Sequence, residues 1–376
     1  MAKVFKKDCH SEERSDEESR TETLRCAQGD KRVKLSDFDY ALPKELIAQS
    51  ALPKRTEARL LVLDREKNII EHRAFRNILN YLERGDVLVL NDTKVLPARL
   101  FGKKKTGGRV EILLLKQTGN VWETLIRPSG RVREGEIIEF QEGLKAQVLD
   151  SSNQETGIRH LRFEFEGNLD EILDRIGHIP LPPYINREDL PVDRELYQTV
   201  FAKIPGAVAS PTAGLHFDEE LLRAIEAKGI EILFVTLHVS YSTFRSVICE
   251  DLASHKMYEE YFEISDETAD RINFAKADGR RIIACGTTVV RTLESAATDS
   301  LPAEAEARNR TTQLFIYPPY EFKMVDAMIT NFHLPRTTLL MLTSAFTGHE
   351  FLVRAYQEAI RERYRFYSYG DAMLVL

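Results

Sequence analysis

The chain has 376 residues, of which 43% are hydrophobic and 30% are charged, and its formal net charge is −7. This composition is ordinary for a globular protein, and the length fits about two domains. No apolar run approaches the roughly 20 residues that span a bilayer, so we expect no membrane segment.

The four cysteines, Cys9, Cys26, Cys249 and Cys285, are scattered along the chain and form no CxxC pair. This spacing excludes a disulfide scaffold and the usual zinc sites, so we expect a reducing, cytoplasmic location and no metal. The negative net charge argues against general electrostatic coating of nucleic acid. It still allows a local basic patch, because affinity for phosphate depends on the charges at the contact surface.

Residues 1–33 are rich in mixed charge, Ser and Thr, and poor in aliphatic side chains. Such a segment buries too little apolar surface to offset its ordering entropy, so we expect a disordered N-terminal extension. Residues 34–98 and 168–376 have an α/β pattern. We predict that they form one α/β catalytic domain, with a mixed, largely parallel sheet flanked by helices.

The sequence pattern between residues 99 and 167 differs from that of the α/β stretches. Six short strand-like runs alternate there with glycine-bearing turns, such as Gly107-Gly108 and Gly119. Even spacing of short strands is typical of a small antiparallel barrel or sandwich. We therefore predict a small antiparallel β-barrel domain inserted at residues 99–167.

In the first α/β stretch, the apolar pattern predicts a short helix over 43–49, strands over 59–64 and 68–75, and a helix over 78–83. A fully apolar strand over 87–90 follows, and it leads directly into Asn91-Asp92-Thr93-Lys94. Taken alone, this polar cluster fits equally well a turn that merely closes the strand.

In the second α/β stretch, helices are predicted over 169–176, 193–201, 218–228, 266–277 and 339–346, and buried strands over 230–237 and 281–285. His238 follows the first of these strands, and Gly286-Thr287-Thr288 follows the second. A third junction carries Asn331 and His333. Because ligands bind at the carboxyl edge of parallel strands, we predict a composite polar pocket there.

Two further features bear on this pocket. The small-residue loop Ser210–Gly214 leads into His216, although a lone His near a helix start is more often only a satisfied polar group. Thr287, Arg291 and Glu294 lie at helical spacing and are expected to share a site. Neither GxxxxGK[ST] nor GxGxxG occurs, which argues against an ATPase and an ordinary dinucleotide fold.

Several runs, in order, carry a resemblance to a known family. They are LSDFDYALPKELIAQ, DVLVLNDTKVLPARLFG, PLPPYI, ASPTAGLHF, FVTLHV, CGTTVVRTLES, TNFHLPRTTLLMLTSAF and YRFYSYGDAML. Together they resemble the S-adenosylmethionine:tRNA ribosyltransferase-isomerase family of queuosine biosynthesis, from about Lys34 to the C-terminus. One departure is Ser240-Tyr241-Ser242-Thr243-Phe244, where the family usually has a glycine-rich turn.

The resemblance implies that the ribosyl part of S-adenosylmethionine is transferred to the 7-aminomethyl-7-deazaguanine at the tRNA wobble position. Epoxyqueuosine would form, with release of adenine and methionine. The carbon beside the sulfonium is acidic, so a neutral His is a sensible general base, and departing adenine needs a proton donor.

On this basis we assign roles as hypotheses. The acid–base candidates and their supporting carboxylates are His216, His238, His333, Asp92 and Glu294. The cofactor pocket would be lined by Thr212, Gly214, Thr287, Thr288 and Asn331. The tRNA anticodon arm would meet Lys94, Arg99, Arg245 and Arg336. We expect a monomer.

Two other functions stay open. A catalytically silent tRNA-binding protein would keep the arginine and aromatic residues of 361–376, and the altered Ser240–Phe244 turn leaves room for it. A small-molecule hydrolase could use similar His and Ser clusters, but the absence of a GxSxG motif weakens that reading.

Overall fold

The computed structural model of the protein describes residues 33–151, 153, 157–241 and 247–376. Apart from Val33, the segment predicted to be a disordered extension lies outside the described residues. No helix in the described part of the chain is long and apolar enough to cross a membrane.

The described residues form seventeen strands. In chain order they are β1 (Arg59–Asp64), β2 (Ile69–Ala74), β3 (Val87–Asn91), β4 (Thr93–Val95), β5 (Arg99–Lys104), β6 (Arg109–Thr118), β7 (Val121–Arg127), β8 (Ile137–Glu139), β9 (Lys145–Val148), β10 (Ile158–Glu164), β11 (Ile204–Ala207), β12 (Glu231–Leu237), β13 (Glu260–Ile264), β14 (Ile282–Cys285), β15 (Arg308–Thr312), β16 (Ala327–Asn331) and β17 (Ala372–Val375). The α-helices described are α1 (Leu169–Ile176), α2 (Asp193–Leu196), α3 (Glu219–Ala227), α4 (Asp266–Ala277), α5 (Thr287–Ala296), α6 (Thr338–Thr347) and α7 (His349–Arg361).

Nine of the described strands form one mixed sheet in the order β15-β13-β12-β3-β14-β16-β17-β1-β2. The four central strands, β12, β3, β14 and β16, run parallel to one another. The neighbours β13 and β17 run antiparallel to β12 and β16. The carboxyl ends of the four central strands therefore meet at one edge of the sheet.

The central strands are apolar throughout because both faces of the sheet are covered. Val87 and Val89 of β3 enter one hydrophobic core, whereas Leu88 and Leu90 enter the other. Helices α4 to α7 contribute to the first core, and α3 contributes to the second. Successive side chains of a strand point to opposite faces, so a strand covered on both sides carries no polar alternation.

The strands β5 to β10 close into an antiparallel barrel in the order β10-β7-β6-β5-β8-β9. Alternate residues such as Leu100, Ile112 and Ile138 fill the barrel interior and are fully buried. The predicted α/β sheet with an inserted antiparallel barrel is thus confirmed. The domain boundaries at residues 98 and 168 stay a prediction about independently folding units.

Some predicted helices are shorter than expected. The segment predicted over 43–49 is a 3-10 turn at Lys44–Leu46, and the one over 78–83 is a 3-10 helix at Phe75–Asn80. The helix predicted over 193–201 ends at Leu196. Each segment offers only about one or two turns, too few for helix propagation to outweigh nucleation, so local packing decides its geometry.

The C-terminal residues 361–376 are part of the core. Tyr364 and Phe366 are fully buried, and β17 inserts between β16 and β1. The Arg59 guanidinium lies 3.6 Å from the centre of the Tyr364 ring. The mixture of arginines and aromatics in this segment therefore belongs to a docked helix end and strand, which was one of the two interpretations of its pattern.

Candidate functional site

Asn91, the last residue of β3, joins three elements at the carboxyl edge of the central strands. Its Oδ1 accepts hydrogen bonds from the backbone N–H groups of Leu237 (3.0 Å) and Thr93 (3.1 Å). Its Nδ2 donates to the Leu237 carbonyl (3.0 Å) and to Thr288 Oγ1 (3.3 Å). These bonds fix the ends of β3 and β12 against the start of α5.

Helix α5 begins at this edge, immediately after Gly286. Gly286 has φ of 98°, in the left-handed half of backbone space that glycine tolerates best, and no side chain of the described residues caps the helix. An uncapped N-terminus presents backbone N–H donors and the positive end of the helix dipole. Thr287 and Thr288 add hydroxyl groups at the same place, so this corner suits an anionic or polar group.

Asn331, the last residue of β16, is a second hub and is only 2% exposed. Its Oδ1 accepts a hydrogen bond from Thr212 Oγ1 at 3.2 Å. Its Nδ2 donates to the Tyr367 carbonyl at 3.0 Å and lies 3.2 Å from His216 Nε2. The amide therefore links β16 to the Thr212 loop and to the C-terminal segment.

His333 lies just beyond Asn331 and is 5% exposed. Its Nε2 is 2.9 Å from Thr330 Oγ1, and its backbone N–H donates to Tyr356 Oη at 2.9 Å. Tyr40 Oη donates to the His333 carbonyl. Burial lowers the pKa of His333 to about 3, so the imidazole is neutral near pH 7.

His238 follows β12 and is partly exposed. Its Nδ1 is 2.8 Å from Thr93 Oγ1, and its ring stacks on Tyr261 with centres 5.5 Å apart. Gly206 permits this position, since a Cβ there would lie 2.5 Å from His238 Nε2. Burial lowers the pKa of His238, while the nearby Glu263 carboxylate opposes that shift.

Two cavities open at this edge. The first, which we call the cofactor cavity, measures about 50 Å³, and its lining includes Thr212, Thr287, Thr288, Asn331 and His333. Ser210 also lines it, and Ser210 Oγ is buried without a hydrogen-bond partner among the described residues. The second, which we call the barrel cleft, measures about 590 Å³ and includes His238 and Tyr261. Val239 lines both cavities, so they adjoin.

Residues 35–375 match the model of a family described as queuosine biosynthesis protein. The chain belongs to the queuosine biosynthesis protein family. It is 49% identical to the S-adenosylmethionine:tRNA ribosyltransferase-isomerase of Halothermothrix orenii, covering 92% of this chain and 100% of that protein.

A solved structure is also similar to this chain. The crystal structure of an S-adenosylmethionine tRNA ribosyltransferase from Thermotoga maritima matches with a TM-score of 0.51 and 39% sequence identity. The match covers 90% of this chain and 100% of that chain. The fold of this chain is therefore similar to that of a solved protein with this name.

The structure brings together five of the residues that the sequence singled out. His333, Thr212, Thr287, Thr288 and Asn331 all line the cofactor cavity. They come from three separate stretches of chain. The start of α5 and the end of β16 meet because β14 and β16 are parallel and share one carboxyl edge, and a hydrogen bond to Asn331 joins the Thr212 loop to them. Their roles in this member of the queuosine biosynthesis family stay proposals.

Two predicted histidines and one predicted glycine lie outside the cofactor cavity. His238 lines the barrel cleft, and His216 lies behind Asn331, where its ring centre is 5.0 Å from that of Phe75. Burial and the charges of Arg55 and Arg365 lower the pKa of His216 to about 3. Gly214 packs against Thr199 and Phe201, and a Cβ on it would lie 2.9 Å and 2.8 Å from them.

The two predicted carboxylates have local partners. Asp92 Oδ1 accepts a hydrogen bond from Thr236 Oγ1 at 2.6 Å, and burial raises the pKa of Asp92. Glu294 accepts bonds from the backbone N–H groups of Lys323 (2.9 Å) and Met324 (3.0 Å), and burial raises its pKa. Neither carboxylate lines the cofactor cavity or the barrel cleft.

The expected shared site on α5 does not form. Arg291 pairs with Glu260 of β13, Glu294 faces the Lys323 segment, and only Thr287 reaches the cofactor cavity. Spacings of three and four place side chains on one broad helix face. Over two turns, however, that face meets different neighbours, which the sequence pattern could not reveal.

The predicted tRNA-contacting residues are dispersed. Lys94 is exposed on β4. Arg99 donates to the Leu181 carbonyl at 2.8 Å and pairs with Glu111 at 3.2 Å. Arg336 pairs with Asp39 at 2.7 Å. Arg245 lies outside the described residues.

Sequence reasoning missed several residues at the site. Tyr367 and Ser368 line the cofactor cavity from the C-terminal segment, and Glu260 and Tyr261 line the barrel cleft from β13. Tyr367 has φ of 75°, unusual for a residue with a side chain. No sequence signal marks these four positions beyond the aromatic residues of 364–369.

Proposed function

We propose that this chain is an S-adenosylmethionine:tRNA ribosyltransferase-isomerase. It transfers and isomerises the ribosyl moiety of S-adenosylmethionine onto the 7-aminomethyl-7-deazaguanine wobble base of tRNA, giving epoxyqueuosine-tRNA, adenine and methionine. The observation that carries the proposal is the 49% identity to a relative of that name, which the chain covers over its full length.

The residues around the cofactor cavity fit S-adenosylmethionine as a ribosyl-donating co-substrate. The N-terminal amides of α5 and the hydroxyls of Thr287 and Thr288 suit a carboxylate, and Ser210 Oγ lacks a partner within the described part of the chain. A volume of about 50 Å³ accommodates only a small polar group. The remainder of the molecule would extend past Val239 into the barrel cleft.

When bound, S-adenosylmethionine supplies an acidic C–H beside its sulfonium. His333, in the cofactor cavity, and His238, in the barrel cleft next to Val239, are the acid–base groups that we propose. His333 is neutral but has a low proton affinity because it is buried. His238 is partly exposed, so it exchanges protons more readily, and Thr93 Oγ1 orients its Nδ1.

The remaining predicted residues take supporting roles in this proposal. His216 would fix the orientation of the Asn331 amide through their hydrogen bond. Asp92 and Glu294 would fix the backbone and side chains around the site through their bonds to Thr236 and Met324. Lys94, Arg99, Arg245 and Arg336 are proposed to meet the tRNA anticodon arm. Of the three residues that the structure describes, Lys94 is the one best placed to bind phosphate, because Arg99 and Arg336 already pair with carboxylates. We also propose a cytoplasmic monomer, to be checked by light scattering.

The decisive experiment incubates the protein with S-adenosylmethionine and tRNA bearing the aminomethyl-deazaguanine base, and follows adenine by chromatography. Adenine and methionine should appear together, in equal amounts, and only with the modified tRNA. Folded protein that binds this tRNA and releases no adenine would contradict the proposal. That result would favour a catalytically silent tRNA-binding protein, for which the altered sequence of 240–244 offers a cause; residues 242–244 lie outside the described part of the chain.

A further inference from the structure

The barrel cleft lies between the inserted barrel and the large sheet. Its walls include Trp122 and Leu125 of β7 on one side, and Glu260 and Tyr261 of β13 on the other. With a volume of about 590 Å³, it is large enough for a nucleobase with its sugar. Because the proposed co-substrate extends from the cofactor cavity past Val239 into this cleft, a base bound in the cleft would lie beside it.

The walls of the cleft offer aromatic surface and an unused donor. Tyr261 is 37% exposed and stacks on His238 at an interplanar angle of 22°. Trp122 is 4% exposed, and its indole N–H has no hydrogen-bond partner among the described residues. The exposed surface of Tyr261 suits stacking of a base that has been turned out of its strand, as RNA-modifying and DNA-modifying enzymes require.

The charges of the cleft are mainly negative. Lys116 is the basic residue of the lining, and it stands opposite Glu123 in the β6–β7 pairing. Glu260 forms an ion pair with Arg291, which offsets its charge. Two exposed carboxylates, Asp170 and Glu259, are then left in excess. A cleft with this balance repels phosphates and attracts a cationic substituent.

We propose that the barrel cleft binds the acceptor base, with Asp170 and Glu259 attracting its protonated aminomethyl group. This inference rests on the proposed function and adds the means by which the enzyme distinguishes the modified base from guanine. The primary amine is cationic near pH 7, whereas guanine lacks such a group. The tRNA backbone stays outside the cleft, and the base enters between Trp122 and Tyr261.

The test compares affinity for two tRNAs that differ only at the wobble position, one with the aminomethyl-deazaguanine base and one with guanine. The wild-type protein is measured beside the double variant Asp170→Asn/Glu259→Gln. A matched control, Glu171→Gln/Glu267→Gln, removes two exposed carboxylates outside the cleft, so the total charge is the same. All four positions are on the surface, and the variants should fold.

The preference is the ratio of the affinities for the modified and the guanine tRNA. We expect it to fall about 5-fold in the cleft variant, because partly screened charge pairs are lost, and to stay at the wild-type value in the control. An equal preference in all three proteins would overturn the proposal. So would a raised KM for S-adenosylmethionine with unchanged tRNA preference, because the carboxylates would then serve the sulfonium. If the wild-type protein releases no adenine, the proposed function fails independently, since the binding comparison needs no turnover.

Trp122→Phe provides a second measurement, because it removes the indole N–H and retains an aromatic ring. In the proposal, the Trp122 N–H donates to the ring carbonyl that the modified base and guanine share. The affinity of the variant for both tRNAs should therefore fall together, about 3-fold to 10-fold. Unchanged affinity for both tRNAs, in protein with wild-type thermal stability, would place the base elsewhere.

Discussion

At the scale of single residues, burial determines what the histidines can do. His216 and His333 are held neutral by desolvation, whereas His238 keeps part of its ring exposed. A neutral imidazole is the form that a general base needs, but strong burial also weakens its affinity for the proton. The three histidines are therefore not equivalent, although the sequence presents each of them beside the same kind of loop or strand end.

His333→Ala should lower kcat by about 100-fold or more if His333 transfers a proton in the reaction. Adenine release at saturating S-adenosylmethionine gives the measurement. His160→Ala, which alters an exposed histidine of the barrel, should leave turnover unchanged. Near-normal turnover of His333→Ala with an unaltered pH profile would remove His333 from the list of acid–base residues.

The free energy of unfolding should decrease as the pH is lowered, because His216 and His333 are buried. Their folded-state pKa of about 3 lies below the unfolded value of about 6.5, so the unfolded state binds the extra protons between these limits. The stabilisation is present above about pH 6.5 and is lost as pH falls toward 3, by up to about 1.4 kcal/mol per pH unit for each His. Urea unfolding from pH 7 to pH 4 measures the slope, and His216→Asn should reduce it.

At the scale of elements, the start of α5 is the part of the fold most directly shaped for a ligand. Gly286 turns the chain with φ of 98°, so that the helix begins at the cofactor cavity. A Cβ at this position would meet Ala213 Cβ at 3.5 Å, an ordinary contact. The cost of a side chain there is thus backbone strain, and relief of that strain would redirect the helix amides.

Gly286→Ala should raise the KM for S-adenosylmethionine about 10-fold and destabilise the protein by about 1–2 kcal/mol. Gly119→Ala is the matched control, since Gly119 also has positive φ, of 62°, with nothing within 4 Å of an added Cβ. The control should also lose stability through its positive φ, and it should keep its KM. Equal KM values in both variants would show that the α5 amides do not contact the co-substrate.

At the scale of the whole molecule, a buried ion pair connects the two cavities. Arg291 of α5 is 5% exposed and pairs with Glu260 of β13, which is 3% exposed. Glu260 Oε1 also accepts the Ser240 N–H at 2.8 Å, just after the His238 strand end. The helix that begins at the cofactor cavity is thereby joined to the wall of the barrel cleft.

Glu260→Gln should destabilise the protein by about 3–5 kcal/mol, because it leaves the Arg291 charge buried without compensation. The double variant Glu260→Gln/Arg291→Met should recover much of that loss, since it removes the second charge as well. Thermal or urea unfolding of the two single variants and the double variant gives the coupling energy. Additive effects of the two substitutions would contradict a coupled pair.

The sequence by itself determined the fold class and the positions of the central strands. The apolar runs of β3, β12 and β14 predict strands covered on both faces, and the short runs after Arg99 predict the barrel. These predictions succeed because apolar periodicity is a local property that burial enforces. The polar residues near strand ends were also visible in the sequence. Five of the candidates named from it line the cofactor cavity: Thr212, Thr287, Thr288, Asn331 and His333.

Only the tertiary structure decided which polar residues meet. It placed Glu294 against the Lys323 segment and Asp92 against Thr236, and it brought Tyr367 and Glu260 to the cavity walls. These contacts join residues far apart in the chain, so no local spacing encodes them. The order of strands in the sheet and the docking of the barrel create them, and both depend on the packing of the whole chain.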